Sequence, residues 1–105
     1  MELNLTIKEQ LIMPLLFPQR SDKMTQIICE DIQKKVEFSD EEKKKYGIEI
    51  ISNGWKWDDT YNTTTFPIEF SESEITVLKE QSKRLDRGKN ITREMLSLIK
   101  KIDNL

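Results

Sequence analysis

Apolar residues recur at helical spacing in five stretches of the chain, and most of these stretches begin or end at a recognisable boundary residue. The spacing predicts helices over 7–16, 22–36, 40–46, 72–87 and 93–102. Three of the starts have a Ser or Thr followed three residues later by Glu, a capping box in which each side chain binds the backbone N–H of the other residue. The three pairs are Thr6 with Glu9, Ser39 with Glu42 and Ser71 with Glu74.

The apolar positions within the first two predicted helices indicate which faces are buried. Ile7, Leu11 and Leu15 fall four residues apart and predict one inward face. Pro14 removes a backbone hydrogen bond within this segment, so we expect it to kink or end the helix. In the second helix an apolar residue recurs at every fourth position from Met24 onward, which predicts a second buried stripe.

The last two predicted helices are joined by a short connection that contains Gly88, which predicts an αα-hairpin. Each helix has an apolar stripe that is expected to face the other elements of the core. The stripes consist of Ile75, Leu78 and Leu85 in one helix and Met95, Leu98, Ile99 and Ile102 in the other.

Two alternating segments on either side of Asn53-Gly54 predict a β-hairpin. Asn-Gly favours a type I′ turn because both of its positions need positive φ. The register that follows pairs Ser52 with Trp55 and Ile50 with Trp57. Trp55 and Trp57 then share a face, and we expect them to cover the helices, because burying an indole removes a large apolar area from water. The alternative is that they form an exposed anchor for a partner.

These elements together predict a small α+β domain in which about five helices surround one β-hairpin. Segment 66–70 also alternates and predicts a third strand at a sheet edge, where Pro67 is tolerated. We expect residues 1–105 to form a single domain, because this length corresponds to one core.

The composition removes much of the usual catalytic chemistry, because the chain has no histidine and a single cysteine, Cys29. Ser–His and Cys–His pairs, the imidazole general base and histidine metal ligands are therefore excluded. The three glycines stand too far apart to form a phosphate-binding loop. We expect Cys29 to be a small buried hydrophobe, the protein not to be an enzyme, and no cofactor to be required.

Six acidic residues are the remaining candidates for metal chemistry, since carboxylate clusters can hold Mg²⁺ or Ca²⁺. They lack the spacing of a known metal-binding loop, so charge at a helix start and on a solvated hairpin surface is the preferred interpretation. The six are Asp40, Glu41, Glu42, Glu49, Asp58 and Asp59.

Basic side chains concentrate in the last third of the chain. Residues 1–75 carry 15 acidic and 9 basic side chains, whereas residues 76–105 carry 4 acidic and 8 basic ones. Phosphate attraction is conceivable at the corner between the last two helices, but no aromatic residues are interleaved there. We prefer a solvated face or a patch that complements an acidic surface. The central basic residues are Lys83, Arg84, Arg87 and Lys89.

Two further features bear on the origin and location of the protein. No stretch has the roughly 18 consecutive apolar residues of a membrane span, and the N-terminus lacks a positively charged export leader, so a cytoplasmic location is expected. Residue types with AT-rich codons number 41, against 10 with GC-rich codons and no alanine at all. This bias favours a low-GC genome.

The order of segments resembles that of a set of small, functionally uncharacterised phage and prophage proteins. The similar segments are 5–9, 16–18, 38–42, 46–48, Trp57, 68–70 and 92–98. The resemblance implies a phage origin and supplies no functional residues. Where those proteins have an acidic-Gly turn after the first helix, this chain has Gln19-Arg20, and Pro14 is additional.

The leading functional hypothesis is a non-enzymatic interaction protein of a phage or mobile element. It would bind a host protein in the host cytoplasm and could inhibit a defence or regulatory factor. The alternatives are a virion structural or assembly component that self-associates, and a nucleic-acid-binding accessory protein. The candidate partner-binding residues are Trp55, Trp57, Lys83, Arg84, Arg87 and Lys89.

Overall fold

The chain folds in the order strand, three helices, hairpin, strand, two helices. The computed structural model describes residues 1–105. The α-helices are α1 (Ile7–Ile12), α2 (Lys23–Val36), α3 (Asp40–Tyr46), α4 (Glu72–Arg87) and α5 (Leu96–Asp103). The strands are β1 (Glu2–Thr6), β2 (Glu49–Ile51), β3 (Gly54–Lys56) and β4 (Thr65–Glu69). The predicted α+β class with five helices is confirmed.

The helix boundaries follow the predicted caps closely. All three capping boxes form, with both reciprocal hydrogen bonds present in each. Gly47 follows α3 with a φ of 66°, a left-handed conformation that stops the helix and that glycine adopts without steric cost. Thr92 makes no side-chain cap, and the last helix opens with a 3₁₀ turn over Arg93–Met95 before α5 begins.

The predicted third strand exists, but its partner is not the hairpin. Strand β4 pairs antiparallel with β1, a strand that the sequence analysis did not predict, and β2 pairs with β3 in a separate two-stranded sheet. Leu3 and Leu5 of β1 point into the core and lie opposite Ile68 and Phe66. Pro67 is accommodated because one side of β4 has no strand partner.

Pro14 ends the first helix earlier than its apolar spacing suggested. Helix α1 stops at Ile12, and Met13–Leu16 continue as a 3₁₀ helix. Because a 3₁₀ helix has three residues per turn, Met13 and Leu16 both face inward there. Leu15 is consequently 60% exposed, so its predicted place on the buried face is wrong.

Helix α2 buries its second half only. Cys29, Ile32 and Val36 are buried, as expected for Cys29 as a small apolar residue. Met24 and Ile27, in contrast, are exposed, because no other element covers the first turns of the helix. The prediction of a buried stripe beginning at Met24 is therefore wrong at its start.

Two buried glutamates join the strand–helix junctions to distant helices. Glu9 is only 2% exposed, and it accepts from the backbone N–H of Thr6 at 2.9 Å and from Lys101 Nζ of α5 at 2.6 Å. The same Nζ donates to the carbonyl of Asn4 in β1 at 2.7 Å. A capping carboxylate, a lysine and a strand carbonyl thus form one connected group.

The second junction repeats this arrangement. Glu74 accepts from the backbone N–H of Ser71 at 2.7 Å and from Lys35 Nζ of α2 at 2.5 Å. Lys35 also donates to the carbonyl of Glu69, at the end of β4, at 3.0 Å. Helices α2 and α5 are therefore tied to the two paired strands by equivalent contacts.

Burial raises the pKa of Glu9 and Glu74, but hydrogen bonds from the lysines and the capping N–H groups outweigh it, and the pKa of each carboxyl lies below its ordinary value of 4.5. The stabilisation from a lowered carboxyl pKa is complete above the ordinary value. It is lost as the pH falls through the folded-state pKa.

We expect Glu9→Gln to lower the free energy of unfolding at pH 7 by about 1–3 kcal/mol, because a charge-assisted hydrogen bond is lost at a buried site. The variant should also lose less stability than wild type on acidification below pH 4.5, since one linked carboxyl has been removed. Urea denaturation across this pH range measures both effects.

Glu42→Gln is the matched control, because Glu42 occupies the same capping-box position and has no lysine partner. It should cost less than Glu9→Gln, because only the capping hydrogen bond is altered. Equal losses in the two variants would show that the lysine bond contributes nothing.

Candidate functional site

The hairpin is attached to the fold through its two ends. After the left-handed turn at Gly47, the backbone N–H of Ile48 donates to the carbonyl of Lys43 at 2.9 Å. At the far end, the N–H of Asp58 donates to the carbonyl of Tyr46 at 2.9 Å. Both ends are thereby held at the end of α3, and the turn of the hairpin projects away from it.

A small aromatic core lies beneath these ends. Ile7, Phe38, Tyr46 and Ile48 are buried there. Tyr46 packs edge-to-face against Phe66 and Tyr61, with ring centroids 5.2 and 4.8 Å apart. This cluster is separate from the main core and positions the hairpin against α1.

The turn of the hairpin is not the predicted one. The observed register pairs Glu49 with Lys56, Ile50 with Trp55 and Ile51 with Gly54. The two-residue loop is therefore Ser52-Asn53, and neither residue has positive φ, which rules out type I′. Gly54 is the residue with positive φ, at 132°. It is the first residue of β3 and lies outside the two-residue loop.

Relative to the predicted register, the pairing of the two strands is shifted by two residues. Trp55 and Trp57 still share one face of the hairpin, but their surroundings differ. Trp57 is half-buried against the aromatic core, and its Nε1 donates to Oδ1 of Asn62 at 2.7 Å. Trp55 is 42% exposed and lies opposite Ile50, which is 76% exposed. Trp55 is therefore partly covered and partly exposed, which is compatible both with the predicted packing and with the alternative of an exposed anchor.

Trp55 borders a groove between the hairpin and α1. One depression, of about 350 Å³, lies on the α2 and α3 side, and a second, of about 320 Å³, lies toward the turn of the hairpin. Leu11 and Trp55 line both of them, so the two depressions are neighbours that share these two side chains. Exposed Leu15 lines the second one. We call Leu11, Leu15, Ile50 and Trp55 the hairpin surface.

The charges around the groove balance. The first depression has Glu37 and Lys43 at its rim, and the second has Lys8 and Glu94. Each depression therefore presents one acid and one base beside apolar walls. Neither rim offers a net charge that would attract ligands of one sign.

The basic corner is not one continuous site. Arg84 donates through Nε to Gln81 at 2.6 Å and through a terminal nitrogen to the carbonyl of Leu16 at 3.2 Å, so its guanidinium fastens α4 to the segment after α1. Lys83 instead lines a depression between α4 and α5 that also contains Asp86 and Asp103. Arg87 and Lys89 are exposed.

The acidic candidates are distributed over α3 and the hairpin region. Hydrogen bonds from Thr60 hold the pKa of Asp58 below its ordinary value, and Glu49 pairs with Lys56 at 3.2 Å. No group of three or more acidic or cysteine side chains is arranged to hold a metal ion. Burial raises the pKa of the Cys29 thiol, which keeps it protonated and poorly nucleophilic.

Comparisons with protein-family models, with curated proteins and with solved structures gave no match. None of the helices is long and apolar enough to span a membrane. The functional proposal below is therefore based on the geometry of the molecule itself.

Sequence reasoning missed two residues of the groove. Leu15 was assigned to the core, and Gln10 was not singled out, although it lies buried in the wall of the first depression. Pro14 was the available signal for Leu15, because a change from α to 3₁₀ winding redirects the side chains that follow. No sequence signal marks Gln10, because its burial depends on elements far along the chain.

We expect Trp57→Ala to lower the free energy of unfolding by about 2–3 kcal/mol, and Trp55→Ala by less than about 1 kcal/mol. The first removes apolar area that packs on the aromatic core and a hydrogen bond to Asn62, whereas the second removes a ring that is 42% exposed. Urea denaturation followed by circular dichroism measures both. The reverse order would contradict the assignment of Trp55 to the surface.

Proposed function

We propose that this protein is an interaction module that binds a partner protein through the hairpin surface. The observation that carries the proposal is the exposed cross-strand pair of Ile50 and Trp55 beside an apolar groove. Exposed tryptophans next to a depression are typical of the residues that dominate protein–protein binding energy.

The chemistry of the surface favours a protein over a nucleic acid. The groove has apolar walls and balanced rim charges, whereas phosphate binding needs an excess of Lys and Arg. In the basic corner, which was the candidate for nucleic acid, Arg84 is occupied by internal hydrogen bonds, and Lys83 shares its depression with two acids as well as with Lys79 and Lys100. Nothing in the structure places an aromatic stacking platform there.

The coding bias and the resemblance to small phage proteins support a phage or mobile element as the source. On that basis the partner is a protein of the host cell, and the proposed action is to occupy a surface that the partner needs. A defence or regulatory factor is the class of target that such occupation would inhibit.

Self-association is the second candidate, because β2 and β3 form an isolated two-stranded sheet with both outer edges open. A second copy that paired with such an edge would extend the sheet and its apolar face. Self-association would suit an assembly role. It is distinguished from host-protein binding by the mass of the purified protein, which would exceed that of one chain.

The double variant Ile50→Ser with Trp55→Ser should retain the fold but recover at least tenfold less partner from a host lysate than wild type. Truncating interface anchors commonly costs more than the roughly 1.4 kcal/mol that corresponds to a tenfold change. Quantitative mass spectrometry of the captured proteins measures the loss, and circular dichroism checks the fold.

Lys83→Ser with Arg87→Ser is the matched control and should recover the partner at the wild-type level. A greater loss with this control than with the hairpin variant would contradict the proposed surface. Light scattering on the purified protein tests self-association, and a dimer that the hairpin variant dissociates would replace the host-protein proposal with the assembly role.

A further inference from the structure

Gln10 is a buried polar side chain that lacks a partner. It is 5% exposed, and its Nε2 is the one buried side-chain nitrogen or oxygen without a hydrogen bond. Its neighbour Glu9, in contrast, is satisfied by the Thr6 N–H and by Lys101. Native proteins leave few buried donors unsatisfied, so such a group requires an explanation.

Gln10 lies in the wall of the first depression of the groove. The apolar lining of this 350 Å³ space comes from Leu11, Pro14, Val36, Phe38 and Trp55. Nε2 is closed off from solvent in the free protein. The terminal amide of a glutamine turns readily about its last side-chain bond, and such a turn would bring the nitrogen to an occupant of the depression. A donor among apolar walls is the usual composition of a small ligand-binding site, where a few polar groups fix the orientation.

The side chains around Gln10 restrict which ligands fit the first depression. The occupant must offer an acceptor to Nε2 and an apolar body to Trp55 and Leu11. The acceptor is expected to be neutral, because Glu37 balances Lys43 at the rim and no cation is in excess. A peptide carbonyl beside an apolar side chain meets all of these requirements, and the volume lies near the lower end of the roughly 300–1,000 Å³ of ligand pockets.

We propose that this depression anchors an extended segment of the partner protein. One apolar side chain of leucine size packs between Trp55 and Leu11, and the adjoining main-chain carbonyl accepts a hydrogen bond from Gln10 Nε2. This inference rests on the proposed protein-binding function and specifies the chemistry of the bound segment.

The first measurement uses ¹⁵N-labelled full-length protein and two small probes. N-acetyl-leucine N-methylamide should shift the side-chain amide signals of Gln10 and the indole signal of Trp55 saturably, with a dissociation constant of about millimolar order for a fragment of this size. N-acetyl-glycine N-methylamide keeps the carbonyls but lacks the side chain, and should bind at least tenfold more weakly.

The second measurement uses Gln10→Met, which keeps the length of the side chain and removes the donor. Because the donor is unsatisfied in the free protein, the variant should raise the melting temperature by several degrees. It should also weaken binding of the leucine probe about tenfold. Gln19→Met, at an exposed glutamine outside both depressions, is the matched control and should change neither quantity.

Each outcome separates this inference from the proposed function. Saturable binding that Gln10→Met weakens supports the anchoring site even if the lysate captures no partner, which would count against the proposed function alone. A leucine probe that shifts neither signal, or that binds Gln10→Met as well as wild type, overturns the anchoring site and leaves the hairpin-surface result standing. A fall in melting temperature for a folded Gln10→Met would show that Nε2 already has a partner, which also overturns the inference.

Discussion

The arrangement of the helices depends on two buried carboxylates that each need a cation. A capping glutamate is normally solvated, but Glu9 and Glu74 lie under other elements and lose that solvation. A lysine from a distant helix compensates in each case and also binds a carbonyl of the adjoining strand. Because an unpaired buried charge is strongly unfavourable, α2 and α5 are restricted to positions from which Lys35 and Lys101 reach these groups.

The hairpin lies outside this network, and its properties follow from that position. It is held by backbone contacts at its ends and by the small aromatic core, which half-buries Trp57 and leaves Trp55 at the surface. A two-stranded sheet covers little area by itself, so Ile50 and part of Trp55 on its apolar face remain exposed. The groove exists because α1 gives way to a 3₁₀ segment at Pro14 and the hairpin spans only part of the surface left beside it.

Most of the fold was predictable, and the candidate site was much less so. Helices α3 and α4 match their predicted bounds, and the three capping boxes form as expected, since each depends on residues within one turn of each other. The errors concern contacts between distant segments. Strand β1 was missed because its pairing with β4 joins residues 59 to 67 positions apart. Met24 was assigned to the core because its spacing says nothing about what covers it.

The sequence by itself determined the three capping boxes, the bounds of α3 and α4, the amphipathic faces of α4 and α5, and the absence of histidine chemistry, because these are properties of neighbouring residues or of composition. Only the tertiary structure decided the partner of β4, the hairpin register, the exposure of Trp55 and Leu15, and the burial of Gln10 without a hydrogen bond. The physical reason is that burial and polar satisfaction depend on which distant elements arrive at a position. Local spacing fixes only the direction in which a side chain points.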